Sequence, residues 1–154
     1  MKTLQFVAMA LNALALVPGG AHLFALPNKI HLSETDYFIT QSVYSGWALF
    51  GIVLIGAILA SLALAVRIRD QRAPFIFTLI NLFCLLATLA IFFVFTYPAN
   101  QATNNWIAIP DNWQQLRWQW EVSHAVNAII TFIGFCSLTI SVLLAREQTA
   151  AKDG

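Results

Sequence analysis

The sequence predicts an all-α fold: a bundle of four transmembrane helices with both termini cytoplasmic. Three observations carry that expectation. Of the 154 residues, 59% are hydrophobic, and the mean hydropathy is +0.72. Only 10% are charged, well below the roughly 25% of ordinary soluble domains. The apolar residues also gather into four long runs. Each can cross the roughly 30 Å hydrocarbon core as a helix rising about 1.5 Å per residue. One integral domain over residues 1–154 is expected, with helices near 4–26, 34–66, 74–97 and 112–145. A formal net charge of +1 supplies none of the basic surface that nucleic acid requires. Membrane lipid is therefore the expected partner, nucleic acid is not, and homo-oligomers are left open.

The first run follows Lys2 and is too long for a secretory signal, whose apolar region is about 7 to 15 residues. It is expected to be retained as a spanning helix, kinked at Pro18 and ending before Pro27, with Gly19 and Gly20 allowing close approach of a neighbour. A loop, PNKIHL, follows. Ser33 with Asp36 three positions on resembles a capping box, so the second helix should start at Glu34 and run unbroken to about Val66. RIRDQRA makes a charged turn before the third helix, which Pro74 opens. A longer loop, PANQATNNWIAIPDN, leads to the fourth, where Asp111 with Gln114 three residues later reads as an N-cap. Cys84 and Cys136 make no CxxC pair and read as small core residues. Lys2, Arg67, Arg69, Arg72, Arg146 and Lys152 fall on one side, against Lys29 and Arg117 on the other, which makes the termini cytoplasmic.

The remaining polar residues are placed by depth. On the fourth helix, Arg117, Glu121, His124, Ala128 and Thr131 share one face, with Trp113 and Trp120 beside it. Ionisable groups in such a position usually face the bundle interior or a wet cavity. The bland alternative is a snorkelling Arg117 above a packed Glu121–His124 pair. His22 on the first helix reaches a comparable depth, so His22 and His124 can meet. Gln41, Tyr44 and Ser45 enter the same layer from the second helix, and Thr96, Tyr97 and Asn100 from the third. Asn12 and Asn81 match in depth in the opposite half, where an interhelical hydrogen bond is their simplest role. The tryptophans Trp47, Trp106, Trp113, Trp118 and Trp120 lie towards the external half, as an interfacial belt or as the walls of an aromatic pocket.

Glu121 and His124 form an E-x-x-H, but a di-iron centre needs a second such motif and two further glutamates. Haem between His22 and His124, or one non-haem iron held by His22, Glu121 and His124, would rest on a sparse ligand set. No metal or cofactor is therefore expected. The cofactor-free alternative makes His124 a general base supported by Glu121, with Arg117 stabilising a developing phenolate or enolate. His22, Tyr44, Tyr97, Asn100, Trp113 and Trp120 would then surround the substrate.

Four segments resemble a family of small integral membrane proteins that includes the fungal anthrone oxygenases. They are ALPNKI (25–30), YSGWALFGIV (44–53), TYPANQATNNW (96–106) and PDNWQQLRWQWEVSHAVNA (110–128). The last two are similar to bacterial members. The resemblance implies a four-helix membrane fold in a bacterial inner membrane. It also implies oxygenation of an anthrone to an anthraquinone without an evident cofactor, carried by the pattern Arg117, Trp120 and His124. The expected function is an oxidoreductase acting on a lipophilic aromatic or quinone-like molecule in the outer leaflet. A non-catalytic lipid or quinone binder and a structural accessory subunit are the alternatives. Transport is disfavoured, because no inverted repeat or broken-helix pair is visible.

Overall fold

The computed structural model describes residues 1–145, which contain helices and no strand. Arg146 and Lys152, two of the cations used for orientation, lie outside the described residues. Four segments are long and apolar enough to cross a membrane: Lys2–Lys29, Trp47–Arg67, Arg72–Ala102 and Trp113–Leu144. The chain is a multi-pass membrane protein built as an all-α bundle.

Helix α1 spans Lys2–Lys29 and contains both Pro18 and Pro27. Its end is a correction, since Pro27 read as a terminator. A proline removes one backbone donor, yet the helix continues for two residues and closes with the Ile30 N–H on the Leu26 carbonyl at 3.0 Å. Lys29 thereby becomes a helical residue two turns beyond His22, on the same face.

The expected helix over 34–66 is broken. Helix α2, Glu34–Gln41, starts as anticipated, with Ser33 accepting from the Asp36 N–H at 3.2 Å. Two short 3-10 turns follow at Ser42–Tyr44 and Trp47–Leu49, separated by Gly46 at φ 83°. Helix α3, Phe50–Arg67, then completes the span. Glycine supplies the left-handed backbone at the break without a Cβ clash.

Helix α4, Arg72–Ile91, passes into a π-helical turn at Phe92–Thr96 and then into α5, Tyr97–Ala102. The third span therefore extends beyond the expected end at 97. Helix α6, Trp113–Leu144, closely matches its expected limits, but Asn112 occupies the N-cap and no side chain caps the helix, so Asp111 does not have the role assigned to it.

Helix α6 packs on α1 and α4, while α3 packs on the same two helices, closing a four-helix ring. Hydroxyl pairs bind α4 and its continuation to α6 at three depths: Thr78–Ser141 at 2.7 Å, Thr88–Thr131 at 3.1 Å and Thr96–Ser123 at 2.8 Å. The expected Asn12–Asn81 bond forms, with Asn81 Nδ2 donating to Asn12 Oδ1 at 2.7 Å. Asn12 also donates to Ser61 Oγ at 3.3 Å, so one amide joins α1, α3 and α4. Such bonds are effective glue where lipid tails offer no hydrophobic drive between helices. Cys84 is buried, but Cys136 is exposed, against the expectation that both are core residues.

Candidate functional site

Three irregularities surround one end of the bundle: the Gly46 break, the π turn, and a run of left-handed residues at Asn104, Asn105 and Trp106, with φ of 48°, 56° and 66°. Asparagine tolerates this conformation, whereas a bulky aromatic rarely adopts it. Trp106 is held there by its N–H on Thr103 Oγ1 at 3.1 Å and its indole Nε1 on Asn100 Oδ1 at 3.1 Å. Trp120 Nε1 donates to the same Asn100 oxygen at 2.8 Å. Asn100 thus fixes two indoles from different elements with one acceptor.

Between these elements lies a cavity of about 550 Å³, lined among others by His22, Gln41, Tyr44, Trp47, Asn100, Trp106, Trp120 and His124. The two histidines meet, with ring centroids 4.3 Å apart. Trp120 packs on both imidazoles, at 4.7 Å from His22 and 4.3 Å from His124. Tyr44 lies 4.3 Å from His22 and Trp47 5.9 Å from it. His22 is 3% exposed, and its Nδ1 has no hydrogen-bond partner. An unpaired buried ring nitrogen is costly, and here it belongs to a residue in the wall of a cavity.

Behind the wall stands a buried ion pair that the sequence did not reveal. Lys29 Nζ lies 2.7 Å from Glu121 Oε1, with side-chain exposures of 4% and 0%. Tyr37 donates to the same carboxylate oxygen at 3.0 Å, and Gln41 Nε2 donates to the Tyr37 hydroxyl at 2.9 Å. The ammonium also lies 4.6 Å from the Tyr44 ring centroid and 4.9 Å from that of Trp120, within cation–π range. Burial first and the Glu121 carboxylate second raise the Tyr37 phenol well above its ordinary value, so it remains a donor. The same two causes raise Tyr44.

The expected site divides accordingly. His22, Tyr44, Asn100, Trp120 and His124 line the cavity. Glu121 is engaged by Lys29 and Tyr37 rather than by His124. Arg117 and Trp113 are outside the lining: Arg117 donates to the Leu32 carbonyl at 2.9 Å and lies 4.7 Å from the Trp113 ring and 5.3 Å from that of Tyr37. Arg117 therefore ties the α1–α2 loop to α6. Tyr97 is 42% exposed, accepts from Gln101 at 2.7 Å and packs on Phe92 and Phe93 outside the cavity. Among the described residues, no three His, Cys, Asp or Glu side chains come together as a metal-holding group, so His22, Glu121 and His124 do not converge on one point. Sequence reasoning used Lys29 only in the charge count and Tyr37 not at all, and it placed Trp47 and Trp106 only in the aromatic layer. Lys29 had a signal in its seven-residue spacing from His22, which holds only if the helix runs through Pro27.

Compared with known proteins, the chain matches no family profile, no curated sequence and no solved structure.

Proposed function

We propose that the protein is an anthrone-oxygenase-like oxidoreductase acting on a lipophilic, planar aromatic molecule held in the cavity. The observation that carries this reading is the His22–His124 pair set into the wall of an aromatic cavity of about 550 Å³. Flat aromatic walls with a few convergent polar groups suit a ligand of that shape, and the volume falls within the range of about 300–1,000 Å³ typical of small-molecule sites. An imidazole is the side chain best suited to take a proton near neutral pH. His124 removes a proton from the acidic methylene of the substrate, leaving a resonance-stabilised anion. Dioxygen is the oxidant: the CH₂ group becomes C=O, one oxygen atom enters the product, and the other leaves as water with the two hydrogens. Glu121 acts indirectly, by holding Lys29 beneath Tyr44 and Trp120.

On this reading the protein resides in a bacterial cell membrane with cytoplasmic termini, and the cavity lies in the outer leaflet. The test is oxygen uptake by purified protein in lipid nanodiscs supplied with dihydroxyanthrone, corrected for spontaneous oxidation. The parent protein is expected to accelerate uptake, and His124→Ala to lose about 100-fold or more, the usual contribution of a positioned base. Saturable quenching of tryptophan fluorescence without uptake would leave the non-catalytic binder, which the aromatic walls alone support. Neither uptake nor quenching would remove both readings.

A further inference from the structure

A second cavity, of about 360 Å³, adjoins the first. Both linings include Pro18, Trp47, Ala48, Phe92 and His124, so the two spaces share a wall that runs from α1 through the Gly46 break to the π turn and α6. The characters of the two differ. The first is ringed by indoles, a phenol, two imidazoles and amides, whereas the second is lined mainly by Ala15, Gly51, Leu54, Ile55, Leu89 and Phe93. Its hydroxyls Thr88 and Thr131 bond to each other, and its remaining amide is Asn127, one turn from the shared His124, whose buried Oδ1 has no partner and marks the end of the space next to the first cavity. The second cavity lies within the spanning segments, and its rim residues Ile55 and Phe93 are 46% and 56% exposed on α3 and the third span. It therefore opens sideways, where the hydrocarbon of a bilayer would be.

A polar atom beside the two imidazoles bears on the character of the ligand's other end. Gln41 lines the first cavity, is 4% exposed and commits its Nε2 to Tyr37, while its Oε1 has no partner. A buried carbonyl oxygen of this kind is satisfied by a ligand hydroxyl.

We infer that the substrate is a phenolic aromatic carrying an aliphatic chain. Its hydroxylated head occupies the first cavity, its chain occupies the second, and it reaches the site sideways from the bilayer between α3 and α4. This rests on the proposed reading of the first cavity as an aromatic site and adds the chain, the hydroxyl and the route. A chain leaving lipid for this cavity gains packing rather than hydrophobic free energy. Affinities for tailed and tail-less molecules therefore cannot be compared directly, and the informative comparison is between variants.

Gly51 is suited to it, because a Cβ added there meets nothing within 4 Å and the residue lines only the second cavity. Gly51→Leu fills the chain space, and Ala15→Leu does so from α1. The probes are dihydroxyanthrone and its decyl-substituted derivative, titrated under argon against tryptophan fluorescence in nanodiscs. Both variants are expected to weaken the decyl probe about tenfold, equivalent to about 1.4 kcal/mol, and to leave the tail-less probe unchanged, which also reports that they are folded. Equal effects on both probes, or none on either, would overturn the inference while the aromatic site stands; a bulk phospholipid chain filling the second cavity gives that second result. Failure of the parent protein to bind tail-less dihydroxyanthrone would overturn the aromatic site and this inference together.

Discussion

Lys29 and Glu121 form the most consequential pair of residues in the molecule, since among the described residues they are the two buried side chains of Lys, Arg, Asp or Glu, and they face each other. Removing one partner of a buried ion pair typically costs about 3–5 kcal/mol, because the survivor is left uncompensated, whereas replacing both by apolar groups is often nearly neutral. Lys29→Met is therefore expected to lower the thermal midpoint sharply in a fixed detergent, and Lys29→Met/Glu121→Leu to recover most of the loss. Tyr37 donates to Glu121 in the parent, so a small deficit should persist in the double variant. Equal midpoints for the single variant and the parent would show that the pair contributes nothing. The pair also explains why the assumed Glu121–His124 partnership fails. Three residues apart on α6, the two side chains are neighbours by geometry, but a lysine ammonium from α1 offers the carboxylate a full opposite charge, which a neutral imidazole cannot match. Helical spacing reveals which residues can meet within one helix; it is silent about a stronger partner arriving from another.

At the scale of elements, the site depends on departures from regular helix, of which the Gly46 break is the clearest. Its φ of 83° places it in the left-handed region, and an added Cβ would meet nothing within 4 Å. The cost of a side chain there is thus purely one of backbone conformation, about 1–2 kcal/mol for alanine. Gly46→Ala is expected to lower stability by that amount, measured by thermal unfolding, with Gly46→Asn costing less because asparagine tolerates this conformation. A neutral alanine would mean that the break is not held in the left-handed form. The spans were legible because long apolar runs have few other uses, and the meeting of His22 with His124 was legible because rise per residue converts sequence position into depth. The break was hidden because YSGWAL carries neither a charge nor a proline, and hydropathy does not register φ. Pro27 misled in the opposite direction: a lost hydrogen bond near a helix end is a small perturbation, and α1 runs through it. Tyr97 was assigned to the cavity by depth alone, but the π turn at Phe92–Thr96 shifts the angular register of everything after it, and Tyr97 faces outward.

For the whole molecule, the distribution of cations between the two ends of the bundle bears on its orientation. The start of α1, the end of α3 and the start of α4 share one end of the bundle, which carries Lys2, Arg67, Arg69 and Arg72 among the described residues. The opposite end carries Lys29 and Arg117, and both are occupied internally, Lys29 by Glu121 and Arg117 by the Leu32 carbonyl. Positive charge on short loops favours the cytoplasm, so the Arg67–Arg72 turn should be cytoplasmic and the cavity end external. Two exposed positions report on this in a background where Cys84 and Cys136 are replaced by serine. Asp70 has a side chain 75% exposed in that turn, and Ile107 is 77% exposed beside the cavity. In intact cells a membrane-impermeant maleimide should label Ile107→Cys and spare Asp70→Cys until the membrane is permeabilised. The reverse pattern would place the cavity in the cytoplasmic leaflet and redirect the search for its substrate to lipids of that face. The expected pattern leaves the sideways opening between α3 and α4 as a route from the outer leaflet, which a membrane-dissolved aromatic can use without crossing water.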